Sequence, residues 1–175
     1  MQRFGMPIEA ILTAGSLYCR CIKGTNTLSN HSFGDAIDIV GVRWAAGQSS
    51  LSRSRETIVH NFRNPEQRVL LRRMNACLRL SFATVIDYNY NSAHHDHFHC
   101  DMNQGKGRIL TGKTSMVFLR EALMHMLKIA IPAQNAQIQK ALQTFSGEGS
   151  DLFTQANRQK LNRVLYQLFE QIARG

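Results

Sequence analysis

The clearest apolar run in the chain is Ala36-Ile37-Asp38-Ile39-Val40-Gly41-Val42, β-branched and broken by a single carboxylate. It predicts a buried strand, entered through the turn Ser32-Phe33-Gly34-Asp35. A lone charge is expensive to bury, so Asp38 needs a partner, and a bound cation is one solution. Leu17-Tyr18-Cys19-Arg20-Cys21-Ile22 also has β-favouring content and ends at Gly24 and Asn26. It predicts a strand preceded by a short helix or turn. Residues 25–31 read as a polar loop, 43–54 as a polar linker or hairpin arm, and 55–62 as a short helix. A stronger helix starts at Asn64-Pro65-Glu66-Gln67, with Asn as cap, Pro at the first helical position and Gln at the third. Leu70, Met74, Cys77 and Leu78 follow at helical spacing. Ala83-Thr84-Val85-Ile86 predicts another strand, and Asp87 to Asn91 a turn-rich loop.

After Asp101 the pattern changes. Glycines at 105, 107 and 112 punctuate the chain, and from Ser115 onward the periodicity is helical throughout. Val117, Leu119, Ala122, Leu123 and Met126 form one apolar stripe; Ile138, Ala141, Leu142 and Phe145 form a second. Thr154 can cap a last helix bearing Leu161, Val164, Leu165, Leu168 and Ile172. The expected organisation is a mixed α/β part over residues 1–110 and a helical part over 111–175.

The 175 residues suit one domain with an appendage. Hydrophobic residues at 43% and charged residues at 19% support a real core and exclude a disordered chain. The net charge of +9 favours an anionic partner, such as nucleic acid, anionic lipid or a carboxylate-rich wall polymer. Several arginines (Arg68, Arg72, Arg73, Arg79) fall on the predicted helix, where some simply form its solvated face. The first ten residues lack the basic start and apolar run of an export signal. No stretch is apolar enough to span a membrane.

Four cysteines are present, Cys19, Cys21, Cys77 and Cys100, with no C-x-x-C pair to suggest a zinc knuckle. Cys19 and Cys21 would share a strand face, so any disulfides they form reach elsewhere, with Cys77 the best-placed candidate.

The chemistry concentrates in Ser92-Ala93-His94-His95-Asp96-His97-Phe98-His99-Cys100-Asp101. Four of the seven histidines fall within six positions here. On a strand, His97 and His99 project to one side and Phe98 to the other, anchoring the strand in the core. His31 precedes Asp38 by seven residues across a glycine-containing turn. Two imidazoles and a carboxylate leave a fourth position open, the composition of a catalytic zinc site and not of a closed structural one. The same set could hold iron, but iron sites favour a compact His-x-Asp pair. Catalysis also needs a proton acceptor that is not itself a ligand, for which Asp96, His94 and His95 are candidates.

Ser29-Asn30-His31-Ser32-Phe33-Gly34-Asp35-Ala36-Ile37-Asp38 resembles the S-x-H-x-x-G-x-A-x-D signature of the LAS metallopeptidases, and His97-Phe98-His99 their H-x-H signature. More narrowly, Tyr18-Cys19-Arg20, Ala76-Cys77 and the stretch His94 to Asp101 are similar to bacterial extensin-like C-terminal domains, over roughly residues 10–103. The resemblance implies an α+β fold of the hedgehog/D-Ala-D-Ala peptidase type: a small antiparallel sheet flanked by helices, here with an all-helical C-terminal extension. It implies zinc (Zn2+) held by His31, Asp38 and His99. His97 would act on the oxyanion or water, Asp96 would match the general base of carboxypeptidase-like members, and His94 the extra histidine of murein endopeptidases. Arg20 sits near the position of a substrate- or oxyanion-binding arginine. Strict alternation would turn Asp96 away from His97 and His99, so either the strand begins after Asp96 or His94 is the base. The family pattern leaves Cys19–Cys77 as the disulfide and Cys21 unexplained; Cys100 stands where an aliphatic residue is usual. Phe118 to Leu123 with Ile138 to Phe145 resembles three-helix peptidoglycan-binding modules but lacks their glycine-rich centre. Helices packing on the catalytic part or on a partner are the other reading.

The expectation is a zinc metallopeptidase cleaving an amide bond in peptidoglycan stem peptides or cross-links, in the periplasm, cell envelope or outside the cell. An envelope location requires a longer precursor or a signal-independent route. The alternatives are a catalytically silent metal- or wall-binding module of the same fold and a metal nuclease. The chain has no aromatic–basic patch of the single-strand-binding kind, and no nucleic-acid partner is expected.

Overall fold

The computed structural model describes residues 7–45, 55–102 and 113–175. Five strands, β1 (Ile8–Gly15), β2 (Ala36–Trp44), β3 (Glu56–Ile58), β4 (Thr84–Ile86) and β5 (Phe98–Asp101), form one antiparallel sheet. The order is β1-β2-β5-β4, with β3 also on β2. Four helices accompany it: α1 (Pro65–Ser81), α2 (Lys113–Leu127), α3 (Asn135–Ser146) and α4 (Arg158–Arg174). The α+β class expected from the sequence is the observed one. None of the described helices is long and apolar enough to cross a membrane.

β2 organises the sheet. Its pairing with β1 slips between Leu12 and Thr13, the mark of a bulge. The slip moves the core-facing positions from Ile37 and Ile39 to Val42 and Trp44, so both halves of the strand bury apolar side chains against α1. Asp38 consequently faces away from that core. At Gly41 a Cβ would lie 2.4 Å from the Thr57 carbonyl, which is why no larger residue fits where β3 joins.

α1 starts as its sequence predicts. The Asn64 side chain accepts from the backbone N–H groups of Glu66 and Gln67, and Pro65 occupies the first turn. Gln67 does not close a capping box. Its side chain accepts from the Ile58 N–H at 3.0 Å and donates to the Glu56 carbonyl, fastening α1 to β3. One face of α1 packs Leu70, Leu71 and Met74 on the sheet, while Ala76 and Cys77 join the apolar core built by α2, α3 and α4. The helical part therefore rests directly on the mixed part through a shared helix.

Three local expectations are corrected. The N-terminal strand is Ile8–Gly15, not residues 17–22, because Ile8–Gly15 finds a full-length partner in β2. Residues 17–22 instead loop over the Asn30–Phe33 turn, with one bridge between Cys21 and Leu28. Residues 55–62 are not a helix: β2 extends past β5, and its open edge takes β3, followed by one 3-10 turn, Val59–Asn61. Thr154 precedes a 3-10 turn (Gln155–Asn157) without capping it through its side chain, and α4 begins afterwards at Arg158. The expected boundary near residue 110 and most of the expected 43–54 linker lie outside the described residues.

The arginines of α1 are not a solvated face. Arg68 and Arg72 reach Glu121 of α2, which also accepts from Asn89. Arg73 donates to the carbonyls of Ala173 and Arg174 at the end of α4. Arg79 is 3% exposed and lies against Asp87 at 3.1 Å, Asn75, Ser115 and the ring of Phe118. Cation count along a helix says nothing about which cations bridge to a neighbour.

The four cysteines are unpaired. Cys19 and Cys21 sit on the exposed loop, whereas Cys77 packs against the helical core, so the expected Cys19–Cys77 bond is not formed. Cys100 is buried beside Phe98 on the core side of β5 and fills an aliphatic position; burial pushes its thiol well above the ordinary range.

Candidate metal centre

The site is built on the face of the sheet opposite α1. Asp38 on β2 and His99 on β5 are direct cross-strand partners, while their neighbours Ile39 and Phe98 pair toward the core. His31 arrives on the single 3-10 turn Asn30–Phe33. That turn is capped by the Ser29 side chain and closed by Gly34 in the left-handed conformation at φ 68°. This positive φ is the reason a glycine follows the turn. His31 is 1% exposed and Asp38 6%.

Three atoms converge. Nε2 of His31 lies 3.0 Å from Nδ1 of His99, and Oδ1 of Asp38 lies 3.2 Å from the first and 3.0 Å from the second. Among the described residues this is the one group of three or more His, Cys, Asp or Glu side chains able to share an ion. Tetrahedral ligands at the usual zinc–nitrogen distance of about 2.0–2.1 Å stand roughly 3.3 Å apart, close to these edges. The donor chemistry also fits. His31 Nδ1 faces the Ser16 carbonyl at 3.1 Å, and His99 Nε2 faces the Asp101 carboxylate at 3.3 Å. Each acceptor fixes the proton on that outer nitrogen, which leaves a lone pair on the inner one aimed at the common point. Two lone pairs and a carboxylate directed at one point want a cation.

The electrostatics record that demand. Burial would raise the Asp38 carboxyl, but the hydrogen bond from His99 and the charges of His97, His31 and His99 hold it below the usual range. Burial would lower His99, yet its hydrogen bonds to Asp101 and Asp38 push it up to about 9. A proton on His99 would offset the Asp38 charge there.

The other expected residues surround this triangle. Strand β5 begins at Phe98, after Asp96, and Asp96 folds back so that His97 Nδ1 lies 2.8 Å from its Oδ1. His97 Nε2 is 3.7 Å from Asp38 Oδ1. The hydrogen bond to His97 keeps the Asp96 carboxyl below its ordinary range. His94 ends the 3-10 turn Ser92–His94. Its ring centroid is 5.1 Å from that of His97 and 6.2 Å from that of His99, and its Nδ1 is held 2.7 Å from Asn91 Oδ1. Burial, then the charges of His97 and His99, lower it to about 4. Arg20 stands at the margin, its guanidinium 5.3 Å from the Tyr18 ring, which meets His31 edge-on. His95 turns the other way, toward His60.

The family model described as the extensin-like protein C-terminus matches residues 1–110. The chain belongs to that family. No curated protein and no solved structure matches it. The extensin-like stretch contains every residue of the cluster and its surround, and α2, α3 and α4 lie beyond it.

Asp101, the Ser16 carbonyl, Asn91 and Tyr18 escaped the sequence reading. Asp101 carried a usable signal: two residues after His99 on a strand, it must share that residue's face. Asp101→Asn is expected to weaken zinc binding by about 10–100-fold, as loss of a carboxylate behind a ligating histidine typically does. Competition against a chromogenic chelator measures it.

Proposed function

We propose that this extensin-like domain is a zinc-dependent hydrolase of peptidoglycan with the ligand set and fold of the LAS metallopeptidases, cutting an amide bond in stem peptides or cross-links. The observation that carries it is the His31–Asp38–His99 triangle, its imidazole tautomers preset by Ser16 and Asp101, beside two further histidines that are not among the three. His31 Nε2, Asp38 Oδ1 and His99 Nδ1 would hold the ion. Zinc bound there supplies Lewis acidity to the scissile carbonyl and to water, whose pKa falls to about 7.

The chain's own groups divide the remaining work. Asn91 Oδ1 accepts from His94 Nδ1, which leaves the lone pair on Nε2, so His94 Nε2 would take the proton of the attacking water. Asp96 accepts from His97 Nδ1 and orients the ring, and His97 turns its other nitrogen to the Asp38 side, where as an imidazolium it would donate to the developing oxyanion. Arg20 lies one ring away from the cluster, where an anionic end of the substrate would meet it. The net charge of +9 suits a wall polymer rich in carboxylates.

His94→Gln is expected to lower muropeptide release from purified sacculi by about 10²–10⁴-fold with zinc content unchanged. Asp96→Asn should cost less, because it disturbs orientation only. A larger loss in Asp96→Asn would transfer the role of base to that carboxylate, and full activity in both variants would remove the mechanism.

A further inference from the structure

Behind the loop that carries His94 and His97 lies a groove of about 660 Å³ that the chemistry above does not use. Its volume is that of a ligand site. The loop is shared: Asn91, Ser92 and His95 line the groove, while His94 and His97 turn to the metal cluster. Opposite stand His60, Asn61 and Arg63 from the segment between β3 and α1, over a stacked pair of rings, Phe62 and Tyr88, with centroids 5.0 Å apart. Among the described residues no carboxylate lines the groove. The guanidinium of Arg63 lies over the Phe62 ring at 5.4 Å and meets no acid among the described residues. His60 and His95 contact each other ring to ring, 5.5 Å apart.

We propose that this groove is a substrate-recognition site for a peptide bearing a free carboxylate, with Arg63 taking the carboxylate and the Asn61 and His60 side chains pairing with peptide amides. Arginine presents a planar fork of donors that matches a carboxylate and nothing neutral as well. Asparagine offers one acceptor and two donors, the complement of a peptide unit. The groove also communicates with the reaction: Asn91 lines it and holds His94 Nδ1, so an occupant touches the residue that positions the base. The assignment presupposes the hydrolase activity proposed above only in its choice of peptide.

The test is equilibrium binding of muramidase-released muropeptides to the full chain, once with zinc and once with a chelator. The controls are the same muropeptides after carbodiimide amidation and a peptide-free N-acetylglucosamine oligomer. Muropeptides with free carboxylates should bind in both series. Amidation, or Arg63→Gln at this exposed position, should weaken binding about tenfold or more. Arg63→Gln binding like wild type, amidated muropeptides binding as tightly, or the bare oligomer binding as tightly would each overturn the proposal. Arg63-dependent binding by a chain that cleaves nothing would keep the groove and remove the hydrolase. Cleavage with binding indifferent to Arg63 would do the reverse.

Discussion

Asp87→Ala should destabilise the fold by about 3–5 kcal/mol, the usual result of stranding one member of a buried ion pair. Asp87 is 1% exposed and is the carboxylate nearest Arg79, which is itself buried. Burial pulls the guanidinium below its ordinary value and the charge of Asp87 pulls the other way, but an arginine does not release its proton in a protein. Without Asp87, Asn75 Nδ2 loses an acceptor at 2.7 Å and the Asn89 N–H loses its partner. The loop leading to Asn91 and His94 would loosen with it. In urea the midpoint should fall by roughly 2 M at the slopes usual for chains of this size. The double variant Arg79→Met with Asp87→Ala should recover much of the loss, because an apolar replacement leaves no charge behind. A midpoint unchanged in Asp87→Ala would show that the pair holds nothing.

Zinc should stabilise the wild type by about 4 kcal/mol at a thousandfold excess over its dissociation constant, and His99→Ala or Asp38→Asn should abolish that gain. The pH dependence has a definite sign. His99 in the metal-free fold holds its proton up to about pH 9, against about 6.5 for an ordinary histidine. Its contribution to stability is therefore complete below about pH 6.5 and is lost as pH rises through about 9. Zinc needs the same nitrogen unprotonated. Apparent zinc affinity should rise about tenfold per pH unit through neutrality and level off near pH 9. Metal-free protein should thus be less stable at pH 9.5 than at pH 6, and zinc should reverse the order. Urea midpoints at the two pH values, with and without metal, decide it.

Much of the candidate site was legible in the sequence because strand alternation holds where β2 and β5 pair, ahead of the bulge in β2. Phe98 in the core, His99 out and Asp38 breaking an apolar run are facts of period two, and β2 and β5 obey them. The Asn64-Pro65 start of α1 was legible because capping is local. What was not legible depended on partners distant in sequence. Glu56–Ile58 became a strand only because β2 had an unfilled edge, and Arg68, Arg72 and Arg79 became internal ties only because α2 and the loop after β4 supplied acceptors. Where Asp96 points was also beyond the sequence: it folds back onto its own neighbour His97, a contact no spacing announces.

The most direct measurement is digestion of purified sacculi by the zinc-loaded chain, with soluble products weighed by mass spectrometry. The expected products are fragments whose masses sum to that of the parent muropeptide plus one water for each amide bond cut, formed by the wild type and lost on chelation or in His99→Ala. Release by the wild type no greater than release by His99→Ala would contradict the assignment of His31, Asp38 and His99 as the centre of a peptidoglycan hydrolase.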